Sequence, residues 1–455
     1  MNPTYKTDNK KVQEIETSLI EVDAFPRLDT IKHGSLFGLS LSNNTSSSTH
    51  GIHRFAAKYI PQIPRWAIAE FCTKDSVVLD PFMGSGTTLV ESLQSVEKSF
   101  GIDIDPLAQL IARVKTTPIA QGLIENHFDA VEKSISLDCG NLISPMSDVK
   151  NFGHWFSKDT WTKLQSLHQT ILNLDCSASV KDFYFCVFSS IIRAVSKADN
   201  QSHKTYVSGT LRKEPVDVKD VFLRRLKKAT KMVGGLVDTQ LESAVATIID
   251  SDAQNIQLPN DSVDLIVTSP PYLDSVDYMY NFMLEYFWLG QHLGVPTRME
   301  FNSRRRGTTG AKNPHQFKKE LPHEIQGLVK MDQIPDYRKK AIPAYFVEMG
   351  KHFSEASRVL KENGTYVLVV GNSKSGKGKI PVHDCLIKLA HSHGLSLEKA
   401  FAYRIRRHYM KFPRKGRGGI ILLDWVIILK KIQNPTHPLP LPTPNFSLGD
   451  DDVAH

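Results

Sequence analysis

Two short runs in the 455-residue chain carry residue types that could hold a ligand and act on it. The first, Asp80-Pro81-Phe82-Met83-Gly84-Ser85-Gly86-Thr87-Thr88, follows an apolar stretch and precedes a helical pattern. Its glycines let backbone N–H groups approach a ligand closely, and a helix N-terminus favours an anionic group. No Lys-Ser/Thr follows the glycines, so the run is not a phosphate-binding P-loop. Further on, Gly101-Ile102-Asp103-Ile104-Asp105-Pro106 sets Asp103 about twenty residues past the glycines, where nucleoside-binding α/β folds hydrogen-bond ribose hydroxyls. Asp105, just ahead of Pro106, suits a helix N-cap better. The second run is Val263-Asp264-Leu265-Ile266-Val267-Thr268-Ser269-Pro270-Pro271-Tyr272. Its two prolines remove two backbone donors and fix φ twice, leaving the carbonyls of Ser269 and Pro270 free and held in place. An acceptor pair beside an aromatic face suits a planar substrate bearing an exocyclic amine: Ser269 and the Pro270 carbonyl take the amine protons while Tyr272 stacks on the ring.

The elements that must position these runs can be read coarsely. Ser76 to Leu79 and Phe100 to Ile104 read as strands, Thr87 to Val96 as a helix, and Pro106 opens another helix where its missing N–H costs nothing. Residues from Thr117 to Ser243 interrupt the alternation with helix-period apolar residues at Phe156 to Leu174 and Val180 to Ala198. Strand-like runs resume at Ala246 to Ile249, Val263 to Val267, Tyr366 to Val370 and Ile420 to Leu429, with helical patterns at Val276 to Leu289 and Tyr345 to Leu360. Strands this apolar suit a sheet covered on both faces, so the expected fold is a doubly wound α/β sheet with a mostly helical insertion. The expected divisions are an N-terminal extension (1–49), a ligand-binding half (50–118), the insertion (119–243), a second half (244–432) and a Pro-rich, acidic tail (433–455) expected to be disordered.

Composition narrows the function classes. Lys and Arg number 56 against 48 Asp and Glu, with 41% hydrophobic residues, as in a folded globular protein. The apolar run Ile420 to Leu423 stops at Asp424, far short of the roughly 20 residues of a membrane span. MNPTYKTDNKKVQEIETS has no apolar core behind its lysines, so a secretory signal is not expected. The five cysteines include no C-x-x-C pair, which argues against zinc ribbons and disulfide frameworks and fits a reducing cytoplasm. No metal is implied. Basic residues cluster three times: between Leu211 and Lys231, at Arg304-Arg305-Arg306, and at Arg404, Arg406, Arg407, Lys411, Arg414, Lys415 and Arg417. Each cluster suits a phosphate backbone as well as a solvated face.

Together the motifs resemble one family, the S-adenosylmethionine-dependent, site-specific DNA amino-methyltransferases. Asp80 to Thr88 is similar to its cofactor loop, Gly101 to Pro106 to its ribose motif, and Ser251-Asp252-Ala253 to the acid that meets the adenine amine. Thr268 to Tyr272 is similar to its catalytic tetrapeptide, and His53-Arg54-Phe55-Ala56-Ala57-Lys58-Tyr59-Ile60-Pro61 to the segment that closes over the methionine end of the cofactor. The resemblance implies a Rossmann-like methyltransferase sheet and S-adenosylmethionine held by Lys58, Asp80, Pro81, Phe82, Gly84, Ser85, Gly86, Thr87, Thr88, Asp103, Ile104 and Asp252. It implies catalysis by Ser269, Pro270, Pro271 and Tyr272 on double-stranded DNA. The Ser-Pro-Pro-Tyr variant implies methylation of cytosine N4, with adenine N6 the alternative and a catalytically silent recognition subunit a further one. It also implies a prokaryotic or phage cytoplasm, and allows a cognate restriction endonuclease or defence subunit as partner. The second and third basic clusters are the expected DNA contacts. The insertion, Gly290 to Pro335 and Arg404 to Arg417 all remain open as the target-recognition region.

Three readings are set aside. Gly371-Asn372-Ser373-Lys374-Ser375-Gly376-Lys377-Gly378 has P-loop spacing, but Gly378 stands where a Mg²⁺-binding hydroxyl is needed. No Pro-Cys dipeptide offers the nucleophile of cytosine C5 methylation. Met279, Phe282, Met283, Tyr286 and Phe287 read as a core stripe.

Overall fold

The computed structural model describes residues 19–39, 48–55, 58–135, 145–146, 151–199, 205–210, 213–214, 216–273, 277–306, 320–336, 338–375, 378–405 and 423–432. In chain order the strands are β1 (Leu19–Val22), β2 (Leu36–Leu39), β3 (Val77–Asp80), β4 (Lys98–Ile102), β5 (Val245–Ile249) and β6 (Val263–Thr268). They continue with β7 (Leu360–Gly371), β8 (Ser373–Ser375), β9 (Gly378–Ile380), β10 (Leu395–Arg404) and β11 (Leu423–Lys431). Nine of them form one sheet in the order β1-β2-β10-β11-β7-β6-β3-β4-β5, while β8 and β9 form a separate hairpin. Pairing within the large sheet is parallel except at β11, which runs antiparallel to both β7 and β10. From β3 the chain steps outward to β4 and β5, then returns to lay β6 on the other side of β3. Strand order therefore reverses between β3 and β6, and in open α/β sheets ligands bind outside the carboxyl ends of the strands at such a point.

The expected doubly wound sheet is present, and its burial explains the apolar runs. Along β7, Tyr366, Leu368 and Val370 join one core while Val367 and Val369 join another on the opposite face; on β11, Trp425, Ile427 and Leu429 alternate in the same way with Val426 and Ile428. Helices Ala341–Val359 and Val382–His391 cover the first face and helix Gln62–Phe71 the second.

Between β4 and β5 lies a helical layer. Helices Lys158–Asn173, Ala178–Val195 and Val218–Gly234 begin at Ser157, Ser177 and Asp217, each accepting a hydrogen bond from a first-turn backbone N–H. The layer shares one core with Leu107 and Ile111 of helix Pro106–Thr116 and with Trp288 and Phe301, which follow the Ser-Pro-Pro-Tyr turn. The rings of Trp161 and Trp288 lie 4.4 Å apart at its centre. The helices are therefore packed into the body of the sheet's ligand-binding side.

Several boundaries differ from the sequence reading. The helix after Gly86 ends at Ser92 rather than Val96, because Val96 is buried in the core of the opposite face and the chain must turn to reach it. The second strand is Lys98–Ile102, which leaves Ile104 in the loop beyond it. The 276–289 pattern divides into helices Tyr278–Asn281 and Met283–Leu289 at Phe282, whose ring stacks on Phe55 with centroids 5.2 Å apart. The P-loop-like stretch runs from strand β7, which ends at Gly371, into the antiparallel pair β8 and β9, with Gly378 opening β9. Residues 19–39, expected in an extension, supply β1 and β2 to the sheet. The tail 433–455 lies outside the described residues.

Shared packing of the helical layer with helix Pro106–Thr116 and with the segments after the Ser-Pro-Pro-Tyr turn predicts one cooperative unfolding transition. Phe188→Ala, at a side chain with no solvent exposure, should lower the midpoint of the whole transition, at a cost of about 3–5 kcal/mol. Differential scanning calorimetry checks this; a separate early transition would show that the layer folds alone.

Candidate functional site

The two chemical runs meet at the strand reversal. One pocket, with about 960 Å³ of empty space that includes its open mouth, is lined by Ile102 at the end of β4, by residues that follow β3, β4, β5 and β6, and by Phe55, Lys58 and Tyr59. Of the residues singled out in sequence, it brings together Lys58, Pro81, Phe82, Gly84, Ser85, Thr87, Asp103, Ile104, Asp252, Ser269 and Pro271. Asp80, Gly86, Thr88, Pro270 and Tyr272 are not in its lining.

Asp80 is instead the anchor behind the wall. Its carboxylate has no solvent exposure and accepts from Thr268 Oγ1 at 2.6 Å, Thr88 Oγ1 at 2.5 Å, the Phe82 N–H at 3.1 Å and Tyr59 Oη at 3.3 Å. Tyr59 and Thr88 also share a short hydrogen bond. Burial outweighs these donors and pushes the carboxyl up to about 6. One side chain thus ties the end of β3 to the following helix, to the end of β6 and to the segment before helix Gln62–Phe71.

The loop between is shaped by glycine. Gly84 (φ +49°) and Gly86 (φ +78°) sit in the left-handed region, and a Cβ on Gly86 would lie 3.0 Å from the Ala112 Cβ and 3.2 Å from its Cα. Asp103 clamps this loop, one oxygen accepting from the Gly84 N–H at 3.0 Å and the other from the Asp105 N–H at 2.9 Å. Burial, with the neighbouring Asp105 charge second, pushes its carboxyl up to about 7. Asp105 caps helix Pro106–Thr116 as expected, accepting from the Leu107 and Ala108 N–H groups and from Tyr286 Oη at 2.5 Å. At the far end, Asp252 accepts from the Gln254 N–H at 2.9 Å. That turn is held by His352, whose Nδ1 donates to the Ala253 carbonyl at 3.0 Å and whose Nε2 accepts from Tyr366 Oη at 2.8 Å. The same imidazole packs against Phe82, with centroids 4.7 Å apart, and burial lowers it to about 4, keeping it neutral.

Two pocket-lining residues hold polar atoms that the protein leaves unsatisfied: Ser85 Oγ and Asp105 Oδ2 are buried with no hydrogen-bond partner among the described residues. Buried polar atoms of this kind call for a ligand or water partner. Phe55, Tyr59, Met83, Phe82 and Met279 provide apolar surface around them. A nucleoside joined to an amino acid, with hydroxyls, an amine and a flat ring, fits that donor set.

The Ser-Pro-Pro-Tyr turn extends from β6 beside this pocket. Ser269 makes no side-chain hydrogen bond among the described residues, so its oxygen is available to a substrate. Tyr272 Oη donates to Asp424 Oδ1 at 2.8 Å, and Tyr403 Oη donates to Asp424 Oδ2 at 2.8 Å. The buried Asp424 carboxyl is raised above its ordinary range by desolvation. Sequence reasoning missed this anchor, whose signal was a lone acid interrupting an apolar strand. The Thr268 hydroxyl donates to Asp80, a role that the motif alone does not show.

Of the expected DNA contacts, Arg304 is exposed, but Arg305 donates to Asp277 at 2.6 Å and its guanidinium lies 5.0 Å over the Tyr280 ring. Asp277 caps the short helix after the turn, so Arg305 braces the segment that follows the Ser-Pro-Pro-Tyr turn. Arg404 ends β10. The Arg306 side chain and Arg406, Arg407, Lys411, Arg414, Lys415 and Arg417 lie outside the described residues, as do Ala56 and Ala57.

Residues 3–113 match the DNA methylase family. Among curated proteins, the chain is 27% identical over 406 residues to the Type II methyltransferase M.MvaI of Kocuria varians, covering 82% of this chain and 86% of that protein. It is 26% identical over 291 residues to the Type II methyltransferase M.BsoBI of Geobacillus stearothermophilus, covering 55% of each. A 79-residue stretch, 17% of this chain, is 40% identical to 15% of the Type II methyltransferase M.MjaII of Methanocaldococcus jannaschii. With the glycine loop, the acid after β4 and the Ser-Pro-Pro-Tyr turn meeting at one strand reversal, these likenesses support the resemblance to the S-adenosylmethionine-dependent DNA amino-methyltransferases.

Proposed function

We propose that this chain methylates cytosine N4 at a specific duplex DNA sequence, acting on a base flipped out of the helix. The observation that carries the reading is Ser269 at the end of β6, lining the pocket that the glycine loop and Asp103 also line. The amine of a paired base is buried in the stack, so extrusion at a cost of a few kcal/mol is a physical requirement.

Asp103 receives the ribose hydroxyls on the lone pairs its two backbone contacts leave, since each carboxylate oxygen can accept more than one hydrogen bond. Asp252 takes the adenine amine, Ser85 Oγ and Lys58 face the amino-acid end, and Phe82 packs against the ring. Burial lowers Lys58 to about 8, and its amine donates to the His50 carbonyl at 3.1 Å. When bound, S-adenosylmethionine supplies an electrophilic sulfonium methyl. Ser269 Oγ and the Pro270 carbonyl accept hydrogen bonds from the two N–H groups of the base amine, drawing the nitrogen lone pair out of ring conjugation. The fixed φ of Pro270 and Pro271 holds those acceptors in place without competing donors. Tyr272, its hydroxyl tied to Asp424, presents its ring to the flipped base. Catalysis on this reading is positioning, in which alignment of the reacting atoms supplies most of the rate. The relatives' designation as Type II methyltransferases supports a place in a restriction-modification or related defence system.

Incubation with S-adenosylmethionine and mixed-sequence duplex DNA, followed by digestion to nucleosides and mass spectrometry, should yield N4-methylcytosine. Ser269→Ala should reduce the yield about a hundredfold, within the range of a positioned proton acceptor. N6-methyladenine would reassign the base, and no methylated nucleoside would defeat the reading.

Only the charged Asp103 carboxylate can accept hydroxyl protons on both oxygens. Because its carboxyl stands at about 7 without ligand, cofactor affinity should rise as pH increases from 6 to 8, with proton release on binding near pH 7. Calorimetry in buffers of different ionisation enthalpy reads both. Asp103→Asn should remove this pH dependence; an affinity that is level across the range would contradict the role.

A further inference from the structure

We infer that the phosphate backbone of the substrate DNA lies along one face of helix Val218–Gly234. This rests on the DNA-methylating reading and assigns a surface to it. Arg224, Lys227, Lys228 and Lys231 recur at i, i+3, i+4 and i+7, so they form a single stripe, and all four are exposed. At 1.5 Å per residue the stripe runs about 10 Å along the helix axis. Duplex DNA carries one charge per roughly 1.7 Å of its axis, so a stripe of that length can face several phosphates at once. None of the four pairs with a carboxylate among the described residues. The single acid of this helix is Asp220, one turn before Arg224.

The opposite face settles the kind of partner. Val221, Phe222, Leu226, Ala229 and Val233 are buried in the core of the helical layer. With its apolar side already packed, the helix has nothing to insert into a lipid interface, where binding depends on an exposed apolar face. It does have four cations matched to a polyanion. The helix is also held rigidly, by its Asp217 cap, by the Asp217–Lys163 pair at 2.9 Å and by the Lys219–Glu132 pair at 3.1 Å.

Its position connects the face to the site. The helix packs against Ser48–Gly51, immediately before the His53–Tyr59 segment that contributes Phe55, Lys58 and Tyr59 to the pocket. Arg225, beside the stripe, is close enough for its charge to act on His53. His53 Nδ1 donates to the Arg54 carbonyl, and its Nε2 accepts from Ser189 Oγ at 3.0 Å on the neighbouring helix. The Arg304–Arg306 cluster contrasts with this, since Arg305 is already bound to Asp277 and Tyr280.

The test is the salt dependence of duplex DNA binding by the full chain, wild type against R224Q/K227Q/K228Q/K231Q, by fluorescence anisotropy between about 50 and 200 mM salt. Each lost phosphate contact should reduce the slope of log affinity on log salt by about 0.9. The quadruple variant should therefore be shallower by about 3 to 4 units, equally on specific and random duplexes. Its KM for DNA should rise, while cofactor affinity, melting temperature and kcat at saturating DNA stay at wild-type values. Removing Lys74 and Lys98, at the amino ends of β3 and β4, should leave the slope unchanged and so exclude an effect of net charge alone. A quadruple variant with the wild-type slope overturns the inference and leaves the methyltransferase reading standing. A wild type that neither binds nor methylates duplex DNA overturns both.

Discussion

Asp80 is a carboxylate with no solvent exposure that accepts four hydrogen bonds, from Thr268, Thr88, Tyr59 and the Phe82 N–H. Desolvating such a group is costly, and each hydrogen bond to a charged acceptor returns about 1.5–3 kcal/mol. The donors come from four places in the chain, so the carboxylate is satisfied only when all four converge. The glycine loop, the helix beyond it and the Ser-Pro-Pro-Tyr turn thereby take their relative positions from one side chain that never meets the ligand pocket. Its pKa, pushed up to about 6, follows from burial outweighing the donors.

Around this anchor the sheet order does the rest. Reversal between β3 and β6 opens a cleft at their carboxyl ends, and the two chemical runs are the residues that leave those strands. Further polar groups then fix the walls. Asp103 holds the glycine loop, neutral His352 holds the Ala253 turn and the Phe82 ring, and Asp424 holds Tyr272 together with Tyr403. The helical layer closes the remaining side through the Phe55–Phe282 stack and the shared core around Trp288. The ligand-facing atoms are thus set by rigid neighbours, which is what a reaction dependent on positioning needs.

Much of this was legible in the residues. The glycine loop, the acid after the second strand and the paired prolines were visible because each needs specific residue types in contiguous sequence, and Asp105 declared itself as a cap by preceding Pro106. The central strands were visible because burial on both faces makes them continuously apolar. What stayed hidden depends on partners distant in sequence. β1 is half exposed and carries Glu21, β2 is four residues long, and β10 reads as mixed polarity because Glu398 and Lys399 interrupt it. Such edge or short strands lack a strong period. Arg305 looked like a DNA contact from its basic neighbours, but Asp277 and Tyr280 engage it across more than twenty residues. Asp424 and Thr268 acquire meaning only once β11 and β6 are set beside Tyr272 and Asp80.

The claim that Asp80 couples β6 to the glycine loop is tested most directly by measuring S-adenosylmethionine affinity in Thr268→Val. This change removes one hydroxyl donor at constant shape, from a residue outside the pocket lining. Loss of one charge-assisted hydrogen bond, about 1.5–3 kcal/mol, should appear as cofactor binding weakened by about tenfold together with a lower melting temperature. Affinity equal to wild type in a folded variant would contradict the coupling and reduce Asp80 to a local fastening of its own loop.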